Sequence, residues 1–209
     1  MRIAIADPPY PPLFRERFDL AGGGSRVTVR SRATRWYGDG PRSKTDAPRA
    51  DVHPEASKWD DLTEHRALLL HLVENFDGWA IATTPDGLGA YHPLPMNAEV
   101  MAWIRPTAMP GGGRLISRWE PVIVYIPEER RTRAGARVSN VLTANAPSAR
   151  GRGGQSFVGS KPAAWTRWVL DALAYDPEAD ELFDLFPGSG AVTAAADGML
   201  PLSWKDALL

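Results

Sequence analysis

The sequence predicts an α/β protein with a mostly parallel sheet of about five strands. Two observations lead to this fold class. Short apolar runs alternate with segments of helical periodicity, which is the pattern of strands joined by crossover helices. The chain has 209 residues, of which 44% are hydrophobic, and these values fit one globular domain with a buried core. We therefore expect residues 1–209 to form a single domain.

Five segments are predicted as strands because each is a short apolar run that ends at Pro, Gly or a charged residue. They are residues 3–6, 79–83, 100–104, 121–126 and 181–186. The helical periodicity predicts helices over residues 61–76, 95–98, 162–175 and 191–196. For the helix over 61–76, the expected apolar face consists of Leu62, Leu69, Leu72, Val73 and Phe76.

Two long segments between these elements are predicted to be loops. Residues 11–60 show no sustained periodicity, and residues 127–159 are rich in Arg, Gly and Ser. The net charge of -1 hides an uneven distribution, because residues 127–161 hold seven basic and two acidic side chains. Residues 162–209 hold two basic and eight acidic ones. Loops of this length are usually functional or mobile, so each is either a ligand-contacting segment or a solvated loop.

Several classes of protein and site are not expected. No stretch approaches the roughly 20 apolar residues of a membrane span, and the amino-terminal apolar run is too short for a secretory signal. The absence of cysteine removes disulfides, thiolate metal sites and cysteine nucleophiles. The four histidines lack the spacing of a zinc site, so no metal is predicted. We expect a cytoplasmic protein of a bacterial or phage-infected cell.

The tetrapeptide Asp7-Pro8-Pro9-Tyr10 follows the first predicted strand. In parallel sheets, ligands bind outside the carboxyl ends of the strands. Prolines lack an N–H, so their segment offers backbone carbonyls as acceptors beside the Asp7 carboxylate. Together these acceptors can receive both hydrogens of an –NH2 group while Tyr10 stacks on a planar base. The alternative is an ordinary proline turn at the end of a strand, in which Asp7 has a capping role and Tyr10 packs against neighbouring residues.

A glycine-rich turn follows the last predicted strand, in Asp184-Leu185-Phe186-Pro187-Gly188-Ser189-Gly190. Such a turn lets the backbone approach a ligand closely. Alone it is a common feature of α/β proteins. Its combination with the proline tetrapeptide indicates a site that binds two ligands.

These residues resemble those of the permuted (β-class) DNA amino-methyltransferases, which methylate adenine N6 or cytosine N4 with S-adenosylmethionine. In that family a D-P-P-Y strand comes first and a glycine-rich cofactor motif comes late, as residues 7–10 and 184–190 do here. Three further blocks match in the same order, at residues 102–106, 119–124 and 160–162. The resemblance implies a Rossmann-like methyltransferase fold, S-adenosylmethionine as the cofactor, and DNA or RNA as the partner.

The resemblance also implies roles for individual residues. The residues implied to hold the target base are Asp7, Pro8, Pro9 and Tyr10. Those implied for the cofactor are Ala6, Lys161, Pro162, Asp184, Phe186, Pro187, Gly188, Ser189 and Gly190. One departure from the family is that the strand carrying a ribose-binding acid after the glycine motif has no clear counterpart. We therefore expect the sheet to lack its edge strands there.

Arginines and one tryptophan are the candidates for contact with nucleic acid, since Arg and aromatic side chains bind extruded bases and single strands. They are Arg35, Trp36, Arg105, Arg130, Arg131, Arg133 and Arg137. The expected function is methylation of a nucleobase amine, with adenine N6 in DNA favoured over cytosine N4 and RNA adenine. The alternatives are a non-catalytic nucleotide- or DNA-binding module and a methyltransferase for small-molecule or protein amines. The need for a homodimer or a recognition partner stays open.

Overall fold

The computed structural model describes residues 1–19, 24–38, 52–107, 115–132, 137–146, 160–188 and 190–197. The strands are β1 (Arg2–Ala6), β2 (Leu13–Asp19), β3 (Gly24–Arg30), β4 (Gly78–Ala82), β5 (Glu99–Ile104), β6 (Trp119–Tyr125), β7 (Val141–Thr143) and β8 (Glu181–Asp184). The α-helices are α1 (Ala33–Tyr37), α2 (Leu62–Asn75), α3 (Ala163–Ala172) and α4 (Ala191–Asp197). Short 3-10 helices cover Ala56–Asp60, Leu88–Tyr91 and Glu128–Arg130.

A six-stranded sheet in the order β7-β5-β6-β4-β1-β8 forms the centre of the molecule. β1 is parallel to both β4 and β8, and β5 is parallel to β7. β6 is antiparallel to β4 and to β5, so five of the six strands run in one direction. The predicted α/β class and mostly parallel sheet are therefore confirmed, with one strand more than expected.

The additional strand is β7, which lies within the segment 127–159 that the sequence indicated as a loop. Its three residues pair with Ala102, Trp103 and Ile104 of β5 at the edge of the sheet. A strand of three residues is too short to show apolar periodicity in the sequence. Its position depends instead on pairing with the β5 backbone beside it. The expected lack of edge strands after the glycine motif applies to residues 198–209, which lie outside the described residues.

Helices cover both faces of the sheet, and each face has its own core. α2 packs on one face, against Ala4 and Ala6 of β1. α3 and α4 pack on the other, against Ile3 and Ile5. This alternation follows from the period of two along a strand, and the near-continuous burial of β1 follows from having both faces covered.

The strands β1 and β8 form a switch point of the topology, at which an open α/β sheet has its ligand crevice. The two strands are neighbours, with Ile5 opposite Asp184. After β1 the next helix to pack on the sheet is α2, whereas after β8 the chain enters α4 on the opposite face. Parallel strands whose connections leave toward opposite faces open a crevice at their carboxyl ends, which is where α/β proteins bind ligands.

Two details of the predicted helices are wrong. In α2, Leu62 and Val73 are exposed, while His65 and Leu68 are buried in their place. A polar His at a buried position shifts the apparent apolar face, since the sequence pattern counts only apolar residues. The helix predicted over residues 95–98 is a turn, and a 3-10 helix instead precedes it at Leu88–Tyr91.

The described part of residues 11–60 holds strands and a helix, which corrects the loop predicted for that segment. β2 and β3 pair as a separate two-stranded antiparallel sheet, followed by α1. The cap of α1 comes from Asp60, whose carboxylate accepts hydrogen bonds from the backbone N–H groups of Ala33 and Thr34, both at 3.0 Å. Because the capping residue lies more than 20 positions away, the local start signal of a helix is absent.

Along the described residues, no helix combines the length and the apolar character needed to cross a membrane.

Candidate active site

The two motifs singled out in the sequence meet at the carboxyl edge of the sheet. Asp7 directly follows β1 and Asp184 ends the neighbouring β8. The Leu185 backbone N–H donates to the Ile5 carbonyl at 3.0 Å, which carries the parallel pairing to the end of both strands. The tetrapeptide and the glycine-rich turn therefore border the same crevice, as the sequence predicted.

Lys161 is the residue that ties this edge together. Its ammonium donates to both Asp7 carboxylate oxygens at 2.8 Å and to the Tyr10 hydroxyl at 2.9 Å. It directly precedes Pro162, the N-cap residue of α3, so the start of that helix fixes its backbone. Lys161 is only 4% exposed, whereas the Asp7 side chain keeps 24% of its surface accessible. Asp7 is therefore anchored from inside the protein and open toward the crevice.

The hydrogen-bonded chain continues to Glu120 and Arg105. The Tyr10 hydroxyl donates to Glu120 Oε2 at 2.7 Å, and Arg105 Nη1 pairs with Glu120 Oε1 at 2.8 Å. Lys161 Nζ lies 3.7 Å from Glu120 Oε2. The cluster thus alternates carboxylates and cations, with Tyr10 between them. We call these five residues (Asp7, Tyr10, Arg105, Glu120 and Lys161) the charge cluster.

Sequence reasoning missed Glu120 as a site residue and assigned Arg105 to nucleic acid. Glu120 is 6% exposed in the otherwise apolar strand β6, and the Arg105 guanidinium forms an ion pair with it. A carboxylate within a buried strand is a signal that could have identified it, because a buried charge is retained only with a partner.

Aromatic rings surround the Lys161 ammonium. Its Nζ lies 5.4 Å from the centre of the Tyr10 ring and 5.7 Å from the rings of Trp103 and Trp165. Cation–π attraction operates within about 6 Å of a ring centre and strengthens when the cation is desolvated. These rings therefore attract the Lys161 ammonium and limit where it can move.

The buried surroundings shift the protonation of the two tetrapeptide side chains. Burial raises the pKa of Asp7 above its ordinary value; Lys161 lowers it, and the Glu120 and Asp184 carboxylates add to the rise. Burial, with Glu120 and Asp7 nearby, raises the pKa of Tyr10 well above its ordinary value. Tyr10 therefore stays protonated and serves as a hydrogen-bond relay rather than as a base.

Both described glycines of the glycine-rich turn adopt a backbone conformation that favours glycine. Gly188 and Gly190 have φ values of +42° and +72°, which are in the left-handed region that favours glycine. A Cβ at Gly190 would meet no heavy atom of the described residues within 4 Å, so among these residues the turn has open space beside it. Pro187 is exposed, and Ser189 lies outside the described residues.

Two side chains of the same turn line the crevice. The Asp184 carboxylate accepts a hydrogen bond from the Phe186 N–H at 3.3 Å and lies 3.4 Å from the Thr193 hydroxyl. Burial raises the pKa of Asp184, and these two hydrogen bonds lower it. The Phe186 ring packs edge-on against Trp59, with ring centres 5.0 Å apart.

A buried network behind Trp59 was also missed by sequence reasoning. The carbonyl of Trp59 can only accept, so His65 Nε2 donates to it at 2.9 Å, and His65 Nδ1 accepts from the Tyr91 hydroxyl at 2.9 Å. Burial lowers the pKa of His65, which fits this neutral tautomer. The network holds Trp59 against Phe186, and only the tertiary contact reveals it.

α1 lies beside the tetrapeptide through Arg32. Its guanidinium forms a two-point contact with Asp86, at 3.0 and 2.8 Å, and donates to the Pro11 carbonyl at 3.4 Å. Arg35 and Trp36 of this helix are exposed, with the guanidinium 5.7 Å from the indole centre. Two of the expected nucleic-acid residues therefore lie on a helix tied to the segment that leaves Tyr10.

The other expected nucleic-acid residues are placed differently. Arg130 pairs with Asp180, which precedes β8 and also binds the N-terminal ammonium, so it lies at the amino edge of the sheet. Arg131 donates to the Asn97 carbonyl and contacts the Tyr125 ring at that same edge. Both lie at the far end of the strands from Asp7. Of the remaining two, Arg137 is exposed and Arg133 lies outside the described residues.

No group of three or more His, Asp or Glu side chains within the described ranges is arranged to hold a metal ion. No protein-family model matches the chain, and no sequence among the curated proteins matches it.

Proposed function

We propose that this protein is an S-adenosylmethionine-dependent methyltransferase that acts on the exocyclic amino group of a nucleobase, with adenine N6 in DNA as the favoured target. One observation carries the proposal. The Asp7 carboxylate, open to the crevice, lies beside the proline carbonyls and next to an open glycine-rich turn on the neighbouring strand. An amine and a methyl donor that occupy these two places are neighbours.

The residues of the turn fit the chemistry of S-adenosylmethionine. The cofactor carries a sulfonium, an ammonium and a carboxylate together with an adenosine. The Asp184 carboxylate suits its cationic part, the backbone at Gly188 and Gly190 leaves room for close approach, and Phe186 with Trp59 offers an aromatic wall. When bound, S-adenosylmethionine supplies an electrophilic methyl group.

The chain's own residues then act on the target amine. The lone pair of an exocyclic amine is delocalised into the ring, which makes the nitrogen a poor nucleophile. Hydrogen bonds from its two N–H groups to Asp7 and to the Pro8 carbonyl favour a pyramidal nitrogen with a directed lone pair. With S-adenosylmethionine held at the turn, transfer would leave an N-methylated amine and S-adenosylhomocysteine, and the surplus proton of the nitrogen would pass to solvent. Lys161 supports this role, because its charge favours the ionised, accepting form of Asp7.

A non-catalytic nucleic-acid-binding module is the second candidate, and one contact favours it. Lys161 already donates to both Asp7 oxygens. Each carboxylate oxygen can accept two hydrogen bonds, so methyl transfer requires the amine to use the remaining lone pairs. If the amine fails to enter, the charge cluster is a structural ion-pair network at the base of a binding surface.

The experiment measures transfer of labelled methyl from S-adenosylmethionine to DNA by the purified protein. The variant Asp7→Asn is expected to lower transfer at least about 100-fold, because the amide nitrogen that replaces one oxygen cannot accept a hydrogen bond. The matched control is Asp171→Asn, on the half-exposed side of α3, which keeps wild-type transfer. Mass spectrometry of the nucleosides identifies the methylated base.

The opposite result is also informative. If DNA and RNA of varied sequence receive no methyl group, and calorimetry detects no S-adenosylmethionine binding, the methyltransferase proposal is wrong. Nucleic-acid binding in that case supports the second candidate.

A further inference from the structure

Glu120 lies at the amino end of β6, a strand that is held on both sides. It is paired with Trp103 of β5, and the carbonyl of the next residue, Pro121, accepts a hydrogen bond from the Thr83 N–H at 3.0 Å. Because β6 runs antiparallel to β4, its amino end lies at the same edge as the carboxyl ends of β1 and β4. The Glu120 carboxylate therefore has a rigid backbone beneath it, at the edge where Asp7 lies.

Tyr10, by contrast, lies in a segment with few backbone anchors. Residues 8–12 read Pro-Pro-Tyr-Pro-Pro, and proline has no N–H to donate. These five residues belong to neither a helix nor a strand. The hydroxyl group connects the Tyr10 ring to the rest of the site, through hydrogen bonds with Lys161 and Glu120. These two bonds therefore fix how the ring faces the crevice.

The direction of the two hydrogen bonds follows from the groups involved. An ammonium can only donate and a carboxylate can only accept. The Tyr10 hydroxyl therefore accepts from Lys161 at 2.9 Å and donates its single proton to Glu120 at 2.7 Å. The proton stays on Tyr10, because burial, together with the charges of Glu120 and Asp7, raises the pKa of Tyr10 well above its ordinary value.

Both oxygens of Glu120 are used, and this makes the position specific for a carboxylate. One oxygen accepts from Tyr10, and the other pairs with Arg105 Nη1 at 2.8 Å. A glutamine amide has a single oxygen, and its NH2 group only donates. Glutamine can therefore accept from one of the two partners, and it sets a donor against the other.

Stability alone does not account for this cluster. Glu120 and Lys161 are both almost fully buried. The free energy lost when charges leave water offsets much of their attraction, and apolar replacements for a buried ion pair are often at least as stable. Hydrogen bonds do supply direction, because each forms only within a narrow range of geometry. The cluster therefore orients the side chains at its accessible end, which are Tyr10 and Asp7.

We propose that Glu120 is a positioning residue for the target base, which it orients by holding the Tyr10 ring beside Asp7. In the proposed function, a planar base stacks on this ring while its amine reaches the Asp7 carboxylate. A misplacement of about 1 Å at a reacting group can lower the rate about 100-fold. The inference rests on the proposed function for the identity of the base, whereas the hold of Glu120 on Tyr10 does not require methyl transfer.

The first test is a double-mutant cycle in the methyl-transfer assay, with Tyr10→Phe, Glu120→Gln and their combination. Tyr10→Phe keeps the ring for stacking and removes the hydroxyl. Each single variant is expected to lower kcat at least about 10-fold and to change KM for DNA less than about 3-fold, because positioning acts after binding. The combined variant is expected to be no slower than the slower single variant, since both changes break the same link.

The second test observes Tyr10 directly by NMR of the whole chain, without any substrate. A charge-assisted hydrogen bond to a buried carboxylate protects a hydroxyl proton from exchange with water, so that the proton gives its own signal. The wild type is expected to show this signal, and Tyr10→Phe assigns it by removing it. Glu120→Gln is expected to abolish the signal although the Tyr10 hydroxyl is still present.

Two further variants separate positioning from a loss of stability. Asp180→Asn removes a buried carboxylate from its pair with Arg130 at the opposite edge of the sheet, and it is expected to keep both kcat and the Tyr10 signal. Arg105→Met leaves Glu120 charged but frees its second oxygen, and because the Arg105 side chain is partly exposed this variant tolerates the change. Where Glu120→Gln does not fold, Arg105→Met takes its place in the cycle with Tyr10→Phe, with the same expected non-additivity.

Each outcome decides the proposal. A non-additive loss of kcat together with loss of the Tyr10 signal supports it. Losses that multiply in the combined variant, or a wild-type kcat in Glu120→Gln, overturn it and leave the proposed function standing. If the wild type transfers no methyl group, the proposed function fails and the NMR signal alone decides: its loss in Glu120→Gln supports the hold of Glu120 on Tyr10, and its persistence overturns it.

Discussion

Replacement of Lys161 by methionine tests the electrostatics of the charge cluster directly. All three ammonium donors are used, two on Asp7 at 2.8 Å and one on Tyr10 at 2.9 Å. Methionine fills a similar volume but leaves the Asp7 and Glu120 carboxylates without their shared cation. Removing one member of a buried ion pair costs about 3–5 kcal/mol of unfolding free energy. The accessible part of Asp7 can recover hydration, so about 3 kcal/mol is expected at neutral pH.

The pH dependence separates this electrostatic effect from a simple packing defect. Burial already raises the pKa of Asp7, and Lys161 is the group that lowers it, so Lys161→Met raises that pKa further. A folded-state pKa above the unfolded value means that stability is complete below the unfolded value of 3.8 and falls as pH rises through the folded value. For each increase of one in the pKa of Asp7, the unfolding free energy of the variant at high pH falls by about 1.4 kcal/mol.

The assay is urea unfolding of wild type, Lys161→Met and Lys161→Arg at a series of pH values from 4 to 8. The difference in unfolding free energy between Lys161→Met and wild type is expected to grow with pH, and Lys161→Arg is expected to show a smaller pH dependence because the cation remains. A deficit for Lys161→Met that is the same at pH 4 and pH 8 would refute the reasoning, since packing alone does not titrate.

Two further predictions concern the glycines and the cap of α1. Gly190→Ala places a side chain at φ +72° in open space and is expected to cost about 1–2 kcal/mol and to weaken S-adenosylmethionine binding in calorimetry. Its control is Gly78→Ala, whose Cβ would lie 2.7 Å from Pro127 Cδ at the amino edge. This control is expected to lower stability by about 1–3 kcal/mol without changing cofactor affinity. An equal loss of cofactor affinity in both variants would contradict the placement of the site. Burial raises the pKa of Asp60, but hydrogen bonds from Ser31 and Thr34 outweigh burial, so the pKa is lowered in the folded protein. The ionised Asp60 therefore stabilises the fold at pH values above its ordinary pKa, and this stabilisation is lost as pH falls through the folded-state pKa. Asp60→Ala is therefore expected to cost about 1–2 kcal/mol at pH 7 and less at pH 3 by urea unfolding, and an equal cost at both values would argue against the carboxylate as the cap.

The strands with continuous apolar runs could be predicted from the sequence because burial on both faces leaves a local record. β1 and β4 are buried along almost their whole length, and the predicted segments 3–6 and 79–83 match them closely. The paired strands β2 and β3 left no such record, since Phe14 and residues 27–30 within them are exposed. α1 was missed for a related reason, because its cap is supplied by Asp60 from beyond the helix.

The candidate site divides in the same way. Asp7–Tyr10 and the glycine turn were found from the sequence because each lies at the end of an apolar strand, and parallel strands bring such ends to one edge. Glu120 and Trp59 were not found, because their contacts with Tyr10 and Phe186 connect segments far apart in the chain. Arg130 was expected at a nucleic-acid interface, but its ion pair with Asp180 places it at the opposite edge.

The sequence by itself therefore determined the α/β class, the positions of the main strands along the chain and the two motifs at the strand ends. Those properties depend on local periodicity and on the residues that end each strand. The tertiary structure alone decided which charges meet, as Lys161 and Asp7 do across 154 residues. That meeting depends on the order of strands in the sheet and on which helix covers each face, which no local pattern records. Its physical reason is that a buried ammonium is stable only where the fold surrounds it with carboxylates and aromatic rings.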